Sequence, residues 1–287
     1  MKKLLILSGK GGTGKTTVAA AFIDFLSARA FADCDVDAPN LHIVAGLMSE
    51  PERKDYHGLQ KAYIVSEKCF GCGLCADKCR FDAIQILDGK AEVDEYACEG
   101  CAVCSFVCPN DAVVMKDDVA GEQALFREGR VFSTAKLKMG RGNSGKLVTE
   151  VKNALFKASE ADLVIIDGSP GIGCPVIASV TGVDLVLIVA EPSVSGIHDM
   201  ERILKTAGIL GVKTAVCVNK YDVCPESTEK IKGYCAENSI LIVGKIPYDK
   251  QAPKAINAGH SLASVECPAG TELKAMLANV LELLEEC

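Results

Sequence analysis

A glycine-rich loop near the N-terminus has residue types and spacing suited to phosphate chemistry. It follows a short apolar run, and four residues separate Gly9 from Gly14-Lys15-Thr16, which fits the P-loop pattern. Glycines let backbone N–H groups close around phosphate oxygens, and the following helix adds donors and a partial positive charge. Lys15 would reach the β- and γ-phosphates, and the Thr16 hydroxyl would bind Mg²⁺. A glycine-rich loop can be a simple turn, but the strand before it and the helix after it favour a nucleotide site. The predicted nucleotide-binding residues of the loop are Gly9, Lys10, Gly11, Gly12, Thr13, Gly14, Lys15, Thr16 and Thr17.

An acidic segment, residues 33–40, follows the first predicted helix and a short predicted strand. Acidic residues at the carboxyl end of a strand beside a P-loop lie where Mg²⁺ and the attacking water are handled. The alternative is a solvated acidic turn, and this segment by itself leaves both interpretations open.

Eight cysteines form the second set with a chemical spacing. The pattern Cys-x2-Cys-x2-Cys-x3-Cys starts at Cys69 and recurs from Cys98, which makes an internal repeat. This is the spacing of bacterial ferredoxins, in which the fourth cysteine of each run binds the other 4Fe–4S cluster. Zinc is the competing interpretation, although zinc sites generally use two separated pairs, and a disulfide framework is less expected in the cytosol. The first run has Arg80 where the second has Pro109, which affects loop shape and not the ligand set. Cluster one would use Cys69, Cys72, Cys75 and Cys108, and cluster two would use Cys98, Cys101, Cys104 and Cys79.

Apolar strands alternate with helices in the rest of the chain, which predicts an α/β fold with a doubly wound, mostly parallel sheet. The cysteine repeat interrupts this alternation and is therefore predicted to be an inserted small α+β domain of the bacterial ferredoxin type. The expected boundaries are residues 1–58 and 119–287 for the P-loop domain and 59–118 for the insertion. Residues 42–63 read as a connector, with or without a short hairpin. The expected strands end near Asp167, Ala190, Asn219 and Pro247, and the expected later helices cover 145–159, 196–209, 226–238 and 270–285.

Composition excludes several classes of function. The formal net charge is −7 and no basic cluster flanks aromatic residues, so a nucleic-acid partner is not expected. The N-terminal apolar run is too short for a signal peptide, and no run approaches the roughly 18 residues of a membrane span. With fifteen cysteines in a protein that lacks these signals, we expect a cytoplasmic location and metal-binding thiols rather than disulfides.

The chain resembles the MinD/ParA/Mrp group of deviant P-loop ATPases, and in particular its members with an inserted ferredoxin domain. The resemblance covers nearly the whole length. It rests on five motifs, which lie at residues 10–17, 33–40, 167–171, 219–222 and 246–249. It implies ATP and Mg²⁺ as ligands and a nucleotide-dependent dimer, either of this chain or with a related ATPase.

The resemblance also implies residue roles. Lys10 looks like the signature lysine that crosses the dimer to the partner's phosphates. Asp35 looks like the acid that activates water and, like Asp167, reaches Mg²⁺ through water. Gly171 corresponds to a switch near the γ-phosphate. The catalytic residues implied are Lys10, Lys15, Asp35 and Asp167. Asn219 resembles the adenine-reading asparagine, and Pro247 is a further nucleotide-binding residue.

Three functional hypotheses follow. The leading one is an ATPase that couples its nucleotide switch to electron transfer through two 4Fe–4S clusters toward an unidentified redox partner. The second is a carrier or assembly ATPase that delivers a cluster or metal to an acceptor protein. The third is a positioning ATPase, which the acidic C-terminal helix disfavours because anionic lipid would repel it. Its apolar stripe is instead expected to pack on the core, and Cys174 is expected to be a small buried residue.

Overall fold

The computed structural model describes residues 1–46 and 50–287. The chain divides into two compact units. The P-loop unit comprises residues 1–53, 123–136 and 144–287, and the cysteine-rich unit comprises residues 54–122 and 137–143.

The described residues form thirteen strands and ten α-helices. The strands are β1 (Lys2–Leu7), β2 (Ala30–Asp33), β3 (Glu52–His57), β4 (Lys61–Ile64), β5 (Ile84–Leu87), β6 (Lys90–Val93), β7 (Val113–Lys116), β8 (Val119–Phe126), β9 (Val131–Leu137), β10 (Leu163–Asp167), β11 (Leu185–Ala190), β12 (Lys213–Asn219) and β13 (Leu241–Ile246). The helices are α1 (Lys15–Phe25), α2 (Leu41–Val44), α3 (Leu74–Asp77), α4 (Val103–Val107), α5 (Ser144–Ala158), α6 (Cys174–Val180), α7 (Val194–Ile209), α8 (Pro225–Glu237), α9 (Gln251–Asn257) and α10 (Pro268–Glu285).

A large sheet forms the centre of the P-loop unit. Its strand order is β13-β12-β11-β1-β10-β2-β9-β8-β3. Two boundaries between the units fall within β3 and β8, after residues 53 and 122. Neighbours from β13 to β9 are parallel. The prediction of an α/β fold with a mostly parallel sheet is therefore confirmed.

The central strands are parallel because they are buried on both faces. Leu4 and Ile6 of β1 belong to a core that also contains Phe22 of α1 and Val280 of α10. Leu5 and Leu7 point to the opposite face, since successive strand residues alternate, and they are buried as well. The C-terminal helix α10 packs its apolar stripe into this core, as the sequence predicted.

Parallel pairing aligns the carboxyl ends of the strands at one edge. Ile6 of β1 lies opposite Asp167 at the end of β10, and Asp167 lies opposite Asp33 at the end of β2. Strand β1 continues directly into the P-loop. The register alone therefore brings the loop and two carboxylates to the same edge, where open α/β sheets bind ligands.

The cysteine-rich unit is built from two antiparallel strand pairs and two short helices. Strand β4 pairs with β7 and β5 pairs with β6. The first cysteine run and α3 lie between β4 and β5, and the second run and α4 lie between β6 and β7. Cysteines share its small core with apolar residues of these strands, such as Ile64 and Val113.

Two stretches differ from the sequence prediction. The expected connector at residues 42–63 contains the end of α2 together with β3 and β4. Residues 119–137 form β8 and β9, which the sequence did not predict. Polar side chains explain the omission of β9, because Ser133 and Thr134 break the apolar run although both are buried. No helix in the described parts of the chain is long and apolar enough to cross a membrane.

A buried lysine fastens α5 to the end of α6. Lys152 Nζ donates to the carbonyl oxygens of Ala178 at 2.8 Å, Ser179 at 2.7 Å and Thr181 at 2.7 Å. These carbonyls have no partner within the helix, because the last turn of a helix leaves its acceptors unpaired. Burial lowers the pKa of Lys152 to about 8, although the neighbouring Cys34 thiol acts in the opposite sense.

We expect Lys152→Met to destabilise the P-loop unit. The thioether fills part of the space but donates nothing, so three buried carbonyls lose their partner and the free energy of unfolding should fall by about 2–4 kcal/mol. The measurement is chemical denaturation at neutral pH. Lys157→Met, an exposed position on the same helix, is the matched control and should change stability by less than about 0.5 kcal/mol. Equal stability of both variants would contradict the assigned role.

Candidate nucleotide-binding site

The P-loop is held in a form that requires glycine at its last position. Gly14 caps α1 in the left-handed region with φ of 94°. A Cβ there would lie 2.4 Å from Nδ2 of Asn219. That amide donates to the carbonyl oxygen of Thr13 at 2.6 Å. The conformation and the close approach thus exclude any side chain at residue 14.

The two reactive side chains at the start of α1 converge on one carboxylate. Lys15 Nζ lies 2.5 Å from Oδ1 of Asp167, and Thr16 Oγ1 donates to Oδ2 at 2.7 Å. Burial by itself would lower the pKa of Lys15, but the carboxylates of Asp167 and Asp33 outweigh it and the pKa is raised. The lysine therefore keeps its charge, ready for an anionic ligand.

Asp33 is a site residue that sequence reasoning missed. It is fully buried, and its carboxylate accepts the backbone N–H groups of Asp35, Asn40 and Leu41 at 3.0, 2.9 and 3.0 Å. Burial raises its pKa to about 7, with Asp167 adding to the rise and Lys15 opposing it. Its position in the sequence could have indicated it, because Asp33 is the first acidic residue of Asp33-Cys34-Asp35 at the end of a strand.

Asp35 faces the same cleft as the P-loop. This open cleft of about 1320 Å³ is lined by loop residues 10–17 together with Asp35 and Pro170. Burial raises the pKa of Asp35, against the opposing effect of Lys15. Gly171 does not line the cleft; its N–H donates to the carbonyl oxygen of Ser8 at 3.1 Å. The structure thus brings Asp35 to the loop and ties Gly171 to the loop's first residue.

Lys10 is held by its own chain. Its Nζ lies 3.1 Å from Oε2 of Glu191 and 3.3 Å from the hydroxyls of Ser193 and Ser195. The other oxygen of Glu191 accepts from Lys220 at 3.0 Å. Burial would raise the pKa of Glu191, but hydrogen bonds from Lys220 and Lys10 hold it below its usual value. Glu191 was also missed from the sequence, because nothing in its local pattern marks it.

A second pocket of about 860 Å³ adjoins the loop. Asn219, expected to bind adenine, and Pro247, expected to bind the nucleotide, line it together with Gly12, Gly14 and Thr17. Asp222, the last residue of the motif at 219–222, binds the backbone instead: its Oδ1 accepts the N–H of Tyr248 at 2.7 Å. That carboxylate supports the segment that carries Pro247 rather than facing a base.

The cysteines are not gathered into a finished metal centre. Within residues 1–46 and 50–287, no group of three or more His, Cys, Asp or Glu side chains could hold a metal ion. One cavity of about 360 Å³ is nevertheless lined by four cysteines from both runs. They are Cys69, Cys72, Cys75 and Cys108.

Several cysteines of the two runs accept hydrogen bonds from the backbone or have a pKa that neighbouring cysteines raise. The N–H groups of Ala91, Ala83 and Ala112 donate to the sulfurs of Cys69 at 3.4 Å, Cys79 at 3.4 Å and Cys108 at 3.3 Å. The pKa of Cys75 is raised, first by burial and then by the charges of Cys69 and Cys108. The pKa of Cys104 is raised in the same way by burial and by Cys98 and Cys101. These electrostatic neighbours place six cysteines in two sets, Cys69, Cys75 and Cys108 in one and Cys98, Cys101 and Cys104 in the other.

Cys174 corrects one expectation. It was expected to be buried, but it is exposed at the first position of α6. Its backbone and Cβ pack against Gly145, where an added Cβ would lie 3.2 Å from them.

Comparisons with known proteins agree with this geometry. Residues 4–262 match the profile of the CobQ/CobB/MinD/ParA nucleotide binding domain. An uncharacterized protein of Methanocaldococcus jannaschii is 35% identical over 261 residues, which cover 88% of this chain and 87% of that protein. An iron-sulfur cluster carrier protein of the same organism is 21% identical over 300 residues, covering 99% of this chain and 85% of that protein. The septum site-determining protein MinD of Pyrococcus horikoshii OT3, solved with Mg-ADP, superposes with a TM-score of 0.58 at 16% identity, covering 98% of this chain and 96% of that one.

The profile match covers most of the chain, and the glycine-rich loop with its lysine and carboxylate lies inside it. The chain therefore belongs to the CobQ/CobB/MinD/ParA family of P-loop ATP-binding proteins.

We expect Asp33→Asn to disable the site. One oxygen becomes an NH₂ group that cannot accept, so at least one of the three N–H groups bound by Asp33 loses its partner and the Asp35 segment shifts. ATP turnover should fall at least about tenfold, equivalent to about 1.4 kcal/mol of transition-state stabilisation. Steady-state ATPase assays give the value. Asp37→Asn, in the same loop but exposed, should stay within about twofold of the wild type; a normal rate in Asp33→Asn would refute the positioning role.

Proposed function

We propose that this chain is an ATPase whose nucleotide switch is coupled to electron transfer through two 4Fe–4S clusters in the cysteine-rich unit. The observation that carries the proposal is the cavity lined by Cys69, Cys72, Cys75 and Cys108. Cys108 belongs to the second run, and its presence beside three cysteines of the first run is the crossed pattern of two-cluster ferredoxins.

The nucleotide half of the proposal rests on the P-loop cleft. Lys15 would leave Asp167 for the phosphates, and Thr16 would bind Mg²⁺ directly. Asp167 and Asp35 would then hold the ion's water molecules, and Asp35 would orient the attacking water. Burial raises the pKa of Asp35, which makes its carboxylate a stronger base toward that water. The base would occupy the pocket beside Asn219 and Pro247.

The cluster half rests on the thiols. Cluster one would be held by the four cysteines of the cavity, and cluster two by Cys98, Cys101, Cys104 and Cys79. When bound, such clusters supply one-electron chemistry. N–H groups that donate to sulfur stabilise the thiolate form that iron requires, and Cys75, Cys98 and Cys104 are buried in the small apolar core of the unit.

A dimer would complete the switch. Glu191 holds Lys10 inside the monomer, so Lys10 must leave that carboxylate before it can reach a partner's phosphates. The partner would be a second copy of the chain or a related ATPase. Residues 167–171 would couple nucleotide state to the rest of the protein, since contacts to the γ-phosphate can order a segment that hydrolysis releases.

A carrier of iron–sulfur clusters is the second candidate. One relative favours it, because an iron-sulfur cluster carrier protein of Methanocaldococcus jannaschii aligns along almost this whole chain at 21% identity. Four protein thiolates for each cluster argue for retention, since a carrier must release its cargo. An acceptor protein that gains labelled iron from this chain would favour the carrier over the electron-transfer ATPase.

Iron analysis tests the cluster claim. Anaerobically reconstituted protein should contain about eight irons and eight sulfides per chain, as two 4Fe–4S clusters require. Cys108→Ala removes a ligand of cluster one and should lose up to about half of the iron. Cys287→Ala, an exposed cysteine outside the repeat, should lose none. Zinc in place of iron, or equal iron in both variants, would contradict the proposal.

Redox titration tests the coupling. Mg-ATP should shift the midpoint potential of at least one cluster, or should be required for electron delivery to an artificial acceptor. Lys15→Ala should abolish the nucleotide effect while iron content stays at the wild-type level, because Lys15 belongs to the P-loop unit and pairs with Asp167, not with a cysteine of the repeat. If potentials and delivery rates are the same with and without Mg-ATP, the coupling does not exist.

A further inference from the structure

Two lysines of the cysteine-rich unit bind the backbone of the cysteine loops. Lys90 Nζ donates to the carbonyl oxygen of Ser66 at 2.9 Å and to that of Cys69. Lys61 Nζ donates to the carbonyl oxygen of Cys98. Each lysine therefore holds the first cysteine of one run.

The two contacts are related by the internal repeat. Lys61 is the first residue of β4, which precedes the first run, and Lys90 is the first residue of β6, which precedes the second run. Each lysine nevertheless reaches the run that follows the other strand. The lysines thus cross between the halves in the same sense as the fourth cysteines of the ferredoxin pattern.

Glycines fix both lysines beside the loops. A Cβ on Gly71 would lie 2.2 Å from the carbonyl oxygen of Gly89, the residue before Lys90. A Cβ on Gly100 would lie 2.3 Å from the carbonyl oxygen of Gln60, the residue before Lys61. Both glycines have positive φ, 72° and 69°. Because the same close approach occurs twice, each lysine is anchored by the turn of the run that it contacts.

The charge of Lys90 lies beside the first cysteine of that run. Its ammonium donates to the carbonyl oxygens of Ser66 and Cys69, so a positive charge is held next to the loop that would bind cluster one. A nearby ammonium favours whichever state of a group carries more negative charge. For an iron–sulfur cluster that state is the reduced one, and net charge and hydrogen bonding set its potential.

We propose that Lys90 and Lys61 are positioning residues that each set the reduction potential of one cluster, Lys90 for cluster one and Lys61 for cluster two. This inference rests on the clusters of the proposed function. It assigns to each cluster a cation of its own, delivered from the opposite half of the repeat. Removal of one lysine should therefore act on one cluster and leave the other unchanged.

The test begins with the wild-type protein, reconstituted anaerobically and analysed for iron before any titration. A wild type without about eight irons overturns the proposed function itself. With clusters present, an EPR-monitored redox titration compares Lys90→Met, Lys61→Met and the wild type. The midpoint that persists in Cys108→Ala identifies cluster two.

The expected result is a lower midpoint for cluster one in Lys90→Met and for cluster two in Lys61→Met, with iron content unchanged. Lys90→Arg and Lys61→Arg keep the charge and should return the midpoints toward the wild-type values. Lys116→Met is the matched control, because Lys116 lies opposite Lys61 in the strand pair but stacks on Tyr63 and not on a cysteine loop. Unchanged midpoints, equal shifts in Lys116→Met, or loss of iron from the lysine variants would each overturn the inference while leaving the cluster assignment intact.

Discussion

The contact between Lys15 and Asp167 is the constraint on which the P-loop edge depends. Both side chains are buried, and a buried charge is tolerated only when it is paired and hydrogen-bonded. Asp33 adds a second buried carboxylate in the same field, and its pKa rises to about 7 for that reason as well as from burial. The lysine therefore neutralises a site that would otherwise repel itself, and an incoming phosphate competes with Asp167 for a charge that is already in position.

The loop around this pair is braced from the neighbouring strands. Asn219 and Lys220, at the end of β12, donate to the carbonyl oxygens of Thr13 and Gly12. Glu191, directly after β11, binds Lys220 and Lys10 together. Because the loop is already ordered, little conformational entropy is lost when it binds a nucleotide. The same bracing gives Lys10 an intramolecular partner, so any contact of Lys10 with a second subunit must replace the one with Glu191.

The sequence predicted those parts of the fold and site whose signal is local. Long apolar runs located β10 to β13 within one or two residues, and the loop motif located Lys15 and Thr16. Strand β9 was not predicted, because its polar residues are buried by the neighbouring strand β2 and the sequence shows no continuous apolar pattern there. The role of Asp33 was not predicted for a similar reason. Its role lies in three backbone N–H groups that only the folded chain brings to one carboxylate, and no spacing in the sequence encodes their convergence.

In the cysteine-rich unit the sequence shows the pattern of cysteines but not the contacts between its two halves. Its repeat is plain in the sequence, but the contacts that join the halves are not. Cys108 lines a cavity with the first run, and Lys61 and Lys90 each hold the run that follows the other strand. Cys108 of the second half lies beside the first run, and each half supplies a lysine to the loop of the opposite half. Because these contacts cross the repeat, its two halves pack as one unit and not as two separate modules.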